Sequence, residues 1–328
     1  MIAVDLYPRG PFHVGELGVG REKTLMHVPS DTLYAALVIA WTAQNIPGPF
    51  DSPPLRLTSA FPRVGTLRLY PRPYVHLNVE RGRRDALGKT LTKLAWCSER
   101  IFALLVQGEE MTSLADKKNF VGGAWFHPDE LAQLPAPPFW KASTVPHVTI
   151  DRLNNAPNLF HSGRTVFGPD CGLWFGVEYV VPDAPLRLET ALGYLADAGL
   201  GGLRSTGHGG FNFKLGEIPL QAQKPSGYGI TLSRYLPANP AEVITALKAD
   251  HAAYKLVHVG GWCQDDAEHP WRRKQVRLVR EGSVLGWNGV PLGCVADVKP
   301  DEAGQFDGRS VLRYGLGFLV PVAQEALL

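Results

Sequence analysis

The run Gly199-Leu200-Gly201-Gly202-Leu203-Arg204-Ser205-Thr206-Gly207-His208-Gly209-Gly210 constrains the fold more than any other stretch of the chain. Apolar spacing predicts a helix from about Pro185 to Ala198 before it and a strand from Phe211 to Leu215 after it. The run therefore leaves a helix and enters a strand. A Rossmann turn runs the opposite way and the G-x-x-x-x-G-K-[ST] order of a P-loop is absent, so both nucleotide folds are excluded. Glycine admits positive φ and close backbone approach, which lets successive amides converge on phosphate oxygens while Arg204 and Ser205 add side-chain donors. The competing reading is a structural turn.

The segments around this run alternate in a recognisable order. Ile2 to Tyr7 reads as a strand that delivers a Pro/Gly-rich loop from Pro8 to Gly20. A helix start follows at Pro29-Ser30-Asp31-Thr32, with Ser30 as N-cap and Leu33, Ala36, Leu37, Ala40 and Trp41 at helical spacing, ending before Pro47. Short strands are predicted at Leu55 to Phe61 and Thr66 to Tyr70, then a basic helix from about Asp85 to Leu105, then a Pro-rich wrapping segment over 107–145. Trp174 to Val181 is a strong strand. Strand, helix, two strands, helix, strand is the ferredoxin-like order, with an antiparallel sheet and insertions between its halves.

A linker at 219–227 separates this unit from a second series. That series comprises strand Gly229 to Leu236, helix Asn239 to Asp250, strand Ala253 to Val259, and strands at Gln275 to Val279, Cys294 to Val298 and Val311 to Val320. The expectation is an α+β chain of two ferredoxin-like (RRM-type) domains. The first spans 1–222, with insertions over about 85–135 and a hairpin over about 146–166, and the second spans 223–328.

Charge limits the partners. The 328 residues carry 33 Lys and Arg against 31 Asp and Glu, a net +2, so no whole-molecule field draws the chain onto nucleic acid or membrane and any polyanion site must be local. Arginine supplies 21 of the 33 cations, a balance suited to forked contacts with phosphate. Cys97, Cys171, Cys263 and Cys294 stand far apart with no C-x-x-C pair, so neither a zinc knuckle nor a redox motif is present. Asp265-Asp266 beside Glu268 reads as a solvated turn, and no metal or other cofactor is expected. The start lacks a signal-peptide layout and no apolar run approaches a membrane span, so a soluble cytoplasmic protein without a membrane partner is expected.

Three further groups of residues carry candidate chemistry. The 8–28 loop sets Arg9, His13, Arg21, Lys23 and His27 beside Gly10, Gly15, Gly18 and Gly20, which suits a path for single-stranded RNA. His13 and His27 also invite a proton-shuttle reading, as in metal-independent RNA cleavage, although no nucleophile–base pair is set by spacing. Val145 to Asn155, followed by Leu159-Phe160-His161 and Arg164, predicts a projecting hairpin that bears His147, with Arg152 near its tip. Basic clusters lie at Arg72, Arg81, Arg83, Arg84, Lys89 and Lys93, and at Arg272, Arg273, Lys274, Arg277 and Arg280. Such clusters are more often solvated faces.

On these residues the chain resembles the RAMP superfamily of CRISPR proteins, most closely the Cas5-like family that supplies subunit four of type III-A (Csm) effector complexes. The resemblance rests on Gly10-Pro11-Phe12-His13-Val14-Gly15, on His27 to Leu37 with its Ser-Asp-Thr-Leu helix start, on Ile150-Asp151-Arg152 before Leu159-Phe160, and on Gly201 to Gly209. In the C-terminal half it rests on Leu232-Ser233-Arg234-Tyr235-Leu236-Pro237, Gly260-Gly261-Trp262, Arg272-Arg273-Lys274 and Glu281-Gly282-Ser283-Val284. The chain departs from the family's Asp-Arg-x-Thr-Gly hairpin at Asn154-Asn155, residues that tolerate left-handed φ.

The resemblance implies a non-catalytic subunit holding the 5′ tag of the CRISPR RNA; the alternative is a Cas5- or Cas6-like metal-independent endoribonuclease that matures the precursor RNA, with His13, His27 or His208 as proton shuttle. Its implied partners are the large polymerase/nuclease subunit, the backbone subunit and target RNA near the tag end. The RNA contacts expected are Arg9, His13, Gly15, Lys23, His27, Ser30, His147, Arg152, Gly201, Gly202, Arg204, Ser205, Gly207, His208, Arg234, Arg272, Arg273 and Lys274.

Overall fold

The computed structural model describes residues 1–15, 22–218, 226–264, 270–301 and 310–327. Arg21, Gly18, Gly20, most of the predicted linker, and Asp265, Asp266 and Glu268 lie outside them. The chain is α+β. Its main sheet is built on β1 (Ile2–Pro8), whose alternation Ala3/Val4/Asp5/Leu6 sends Val4 and Leu6 to one face and Ala3 to the other. Two helices cover the first face: α1 (Ser30–Ala43) through Leu33, Leu37 and Trp41, and a later helix, Ala184–Ala198, through Leu188, Ala191, Leu192 and Leu195. The Trp41 indole N–H donates to the Arg187 carbonyl at 2.8 Å, so the two helices are joined by a hydrogen bond as well as by packing.

After α1 come β2 (Leu55–Leu57), β3 (Phe61–Val64) and β4 (Leu67–Pro71). The predicted basic helix over 85–105 is broken into α2 (Arg81–Leu87), α3 (Lys89–Lys93), β5 (Trp96–Ser98) and α4 (Glu99–Gln107). Two features break it. Gly88 turns to φ +36°, and the buried triplet Trp96-Cys97-Ser98 pairs with β4, Tyr70 opposite Cys97. The Ser98 hydroxyl then accepts the Ile101 amide and starts α4.

The 107–145 segment, predicted to stay off the sheet, extends it with β6 (Phe120–Val121) and β7 (Ala124–Trp125), the latter parallel to β5. The hairpin β8 (Trp140–Ile150) and β9 (Pro157–Phe167) is paired along all eleven positions, longer than predicted. β10 (Cys171–Tyr179), α5 (the Ala184–Ala198 helix) and β11 (Phe211–Glu217) complete the sheet, which runs β11-β1-β10-β3-β4-β5-β7-β6, with β2 also on β10. Pairings among β11, β1, β10 and β3 are antiparallel, as expected.

The C-terminal half forms a three-stranded sheet, 284–286, 228–231 and 319–321, and two-stranded pairs 256–259 with 276–279, 262–264 with 270–272, and 295–297 with 312–314. The helix predicted over 239–250 shortens to Pro240–Glu242 and a π-type turn, Val243–Leu247, with the Asn239 side chain accepting the Glu242 amide. The single strand predicted over 311–320 splits at Gly315-Leu316-Gly317. There the Gly315 and Leu316 carbonyls accept the Leu236 amide and the Ser233 hydroxyl. Ile230, Leu232, Val284 and Phe318 share one buried cluster with Trp174 and Trp96, while Tyr314 joins the cluster under α1 and α5. No helix among the described residues is long and apolar enough to cross a membrane.

Candidate nucleic-acid interface

Three segments distant in sequence meet at the end of β1. Leaving the strand, the Arg9 amide donates to the Gly210 carbonyl (2.9 Å), and the Pro11 carbonyl accepts the Gly209 amide (2.9 Å). Phe12 exchanges backbone hydrogen bonds with Thr165 at the base of the hairpin (2.8 and 2.7 Å). The His13 carbonyl accepts the Gly202 amide at 2.8 Å, and its Nδ1–H donates to the Gly163 carbonyl at 2.7 Å. The N-terminal loop, the glycine-rich loop and the hairpin base thus form one platform. Glycine is required for it: a Cβ on Gly201 would stand 2.5 Å from the His13 oxygen, at φ +96°, and one on Gly202 would stand 2.8 Å from the His13 ring.

The glycine-rich loop leaves several of its donors unengaged by the described residues. Leu203 (φ +57°) and Gly207 (φ +79°) bracket one turn of 3-10 helix, Arg204–Thr206. The Gly202 and Gly207 amides, predicted to face phosphate, are engaged instead with the His13 and Arg204 carbonyls. Those of Gly201, Leu203, Arg204 and Ser205 make no hydrogen bond among the described residues. Arg204 and Ser205 are exposed, and Arg204 carries no ion pair among the described residues.

His208 sits just behind, its Nδ1 3.2 Å from the Thr206 hydroxyl. Burial, then the positive charge of Arg164 and the neighbouring His13 and His147, push its pKa down. His147 stacks on Phe160 (5.2 Å) and holds the Ser162 hydroxyl at 2.7 Å, and Arg164 donates to Ser143 at 3.2 Å. Register places His147, Phe160, Ser162 and Arg164 on one face of the hairpin. Arg164 was read as part of the hairpin but not among the expected RNA contacts. The signal that finds it is its pairing opposite Ser143 in the same alternation as His147.

At the hairpin tip Arg152 is exposed, and Asn155 takes φ +55° while the Asn154 side chain accepts the Ala156 amide (2.9 Å). The two asparagines thus close the turn that Thr-Gly was expected to make. Val148, Ile150, Leu159 and, at the tip, Leu153 are exposed.

His27, Ser30 and Arg234 lie elsewhere, and for these three the expectation of an RNA-facing position is corrected. They are 5%, 0% and 4% exposed, inside a polar knot that ties α1 to the C-terminal half. Ser30 is the first helical residue rather than the N-cap, because its hydroxyl is committed to the Arg234 amide (2.9 Å) and its own amide to Ser59 (2.8 Å). The Asp31 carboxylate takes Arg234 on one oxygen (3.1 Å) and Arg313 on the other (2.6 Å). Glu281 accepts the Ser59 hydroxyl at 2.5 Å and lies 3.7 Å from both His27 and Arg234. Burial pulls the Glu281 pKa up, but His27, Arg234 and Ser59 outweigh it and hold the carboxyl well below the usual range.

The remaining candidates spread out. Arg9 is tied to Asp197 (2.6 Å), Lys23 is exposed and Gly15 is half-buried. Arg272 lies over the Trp262 ring (5.2 Å), Lys274 pairs with Asp301, and Arg273 is half-buried, its pKa lowered by burial and then by Arg313. No hydrogen bond or ion pair joins these C-terminal residues to the platform among the described residues. Nor do the described residues contain a group of three or more side chains able to hold a metal ion.

Comparison with known proteins places this geometry in context. Residues 224–322 match the family model described as the CRISPR Csm4 C-terminal domain. The CRISPR system protein Csm4 of Thermococcus onnurineus (strain NA1) is 26% identical over 292 residues, covering 87% of this chain and 86% of that protein. A chain from the crystal structure of the Csm3–Csm4 subcomplex of the type III-A interference complex superposes with TM-score 0.68 at 16% identity, covering 98% of this chain and 100% of that one. One from the Csm1–Csm4 cassette in complex with cA4 superposes with TM-score 0.61 at 19% identity, covering 98% and 97%.

Proposed function

We propose that this chain, which matches CRISPR Csm4, a RAMP-family subunit of the type III-A Csm effector complex, holds the 5′ tag of a CRISPR RNA as a non-catalytic subunit. The observation that carries the reading is the platform itself. Unused amides at Gly201 and Leu203 to Ser205, the Arg204 guanidinium and the His147/Arg164 face of the hairpin present donors side by side, the chemistry that grips a phosphate backbone. Arg152 at the tip of the arm reaches further along the same RNA. His13 and His208 serve by positioning: the first is fixed on Gly163 and the second is held by Thr206. With His27 shut beside Glu281, the proton-shuttle reading has no support, and holding RNA is favoured over cutting it.

Relatives named as Csm3–Csm4 and Csm1–Csm4 assemblies support partners of the same kind, a backbone subunit and the large subunit. Target RNA near the tag end completes the proposed set. The fold is read as two ferredoxin-like domains meeting near 222. The order β11-β1-β10-β3, fourth-first-third-second of the expected unit, supports the first, and the family match from 224 supports the boundary. A cytoplasmic location follows from this role.

A tagged pull-down from a host carrying the whole locus, with the bound RNA sequenced, tests the proposal. Short RNAs sharing one 5′ end, together with large and backbone subunits, are the expected result. Processed RNA without those subunits points to a maturation nuclease, and no RNA leaves a protein scaffold.

A further inference from the structure

The fold brings together two basic clusters that are separate in sequence. A cleft of about 260 Å³ opens between the insertion and the C-terminal half, lined by Arg72 and Lys93 from the first cluster, Arg280 from the second, and Lys255. Tyr74 and Trp96 line it as well. None of the four cations has a carboxylate partner among the described residues, whereas Arg9, Arg68, Arg100, Arg187, Arg234, Lys274 and Arg313 all do. In a chain with nearly as many acids as bases, four unpaired cations around one concavity amount to a local positive potential.

The nearest acid, Glu281, also lines the cleft, but its charge is met by His27 and Arg234 on the buried side. Its second oxygen, Oε2, is buried, so the carboxylate faces the knot rather than neutralising the cleft cations. Arg72 is braced by a hydrogen bond to the Leu91 carbonyl (2.6 Å), and Lys255 lies over the Tyr74 ring (5.1 Å), so two of the cations are held in place rather than waving in solvent.

We propose that this cleft is a second RNA subsite, taking a phosphate of single-stranded RNA on the cations with the attached nucleoside against the half-buried Tyr74. The proposal rests on the RNA-holding reading above but not on the glycine-rich platform. Cations give affinity and salt dependence, and ring faces accept any base.

The test is fluorescence-anisotropy titration of the full chain with a labelled eight-nucleotide single-stranded RNA over a range of salt. Lys255 and Arg280 are both exposed, so the double variant Lys255→Glu/Arg280→Glu is expected to keep the fold. It should bind roughly tenfold more weakly, with a log–log salt slope shallower by about 0.7, the value for one lost single-strand phosphate contact. Lys117→Glu/Lys118→Glu makes the same charge change at exposed residues outside the cleft and should leave the slope unchanged.

Equal losses in both double variants would overturn the subsite in favour of a diffuse charge effect. Wild-type binding in the cleft variant would overturn it outright, while Arg204→Ala still reports on the platform. No binding by the wild-type chain would overturn the RNA reading and the subsite together. Inorganic phosphate at millimolar concentration should not displace the RNA. If it does, the cleft is a free-anion site and the RNA assignment fails.

Discussion

The platform at the end of β1 and the knot under α1 draw on the same residue types, histidine, arginine and small hydroxyl or glycine residues, and they end in opposite environments. In the platform, glycines at 201 and 202 let the backbone close onto His13 and turn the next residues outward, leaving Arg204 exposed and unpaired. In the knot, Asp31 and Glu281 draw Arg234 and Arg313 inward until all four are buried. Buried acid partners separate the two: Arg234 and Arg313, which meet Asp31, become architecture, and Arg204, which meets no carboxylate among the described residues, is left for a ligand.

Removing the carboxylate at the centre of the knot should produce the largest effect. Asp31→Ala strands two buried guanidinium groups and is expected to cost about 3–5 kcal/mol in denaturant unfolding. An unchanged midpoint would show that the knot does not join the two halves. Acid should act on the same region. The Glu281 pKa is depressed in the fold, so its contribution is complete above the ordinary glutamate value of about 4.3 and is lost as pH falls below it. Melting temperature should therefore drop on acidification below that value, and Glu281→Gln should flatten the drop.

On the platform side, Gly202→Ala forces a Cβ against the His13 ring and is expected to cost about 1–3 kcal/mol. RNA retention should fall with it, because the loop no longer seats on the N-terminal segment. Arg204→Ala is the mildest for the fold, within about 0.5 kcal/mol of wild type. RNA retention should nonetheless become weaker, with a salt slope shallower by about 0.7. A platform variant that loses stability but not RNA would exchange the roles assigned to the two regions.

The elements that local pattern controls were legible in the sequence. β1, α1, the 184–198 helix and β11 fall where alternation and helical spacing put them. The hairpin was legible too, because its Asn-rich turn carries its own conformational preference at Asn155. The break at Gly88 and the strand at Trp96–Ser98 were not, since helical propensity there yields to pairing with β4, a partner over twenty residues away.

The site divides in the same way. Gly201, Gly202, Arg204, His13 and His147 could be read from loop chemistry and alternation. The burial of His27, Ser30 and Arg234 could not, because it depends on Glu281 and Arg313, which arrive from the far end of the chain. Nor does spacing reveal that Arg72, Lys93 and Arg280 border one cleft.

The most direct measurement of the central claim is photo-crosslinking of the purified complex with guide RNA carrying 4-thiouridine in its 5′ tag, read out by mass spectrometry of the crosslinked peptides. The account predicts adducts in residues 9–15, 201–208 and the 147–164 hairpin, and none in the buried segments around Ser30 and Arg234. Crosslinks confined to the buried knot, or absent from the three platform segments while present elsewhere on the chain, would contradict it.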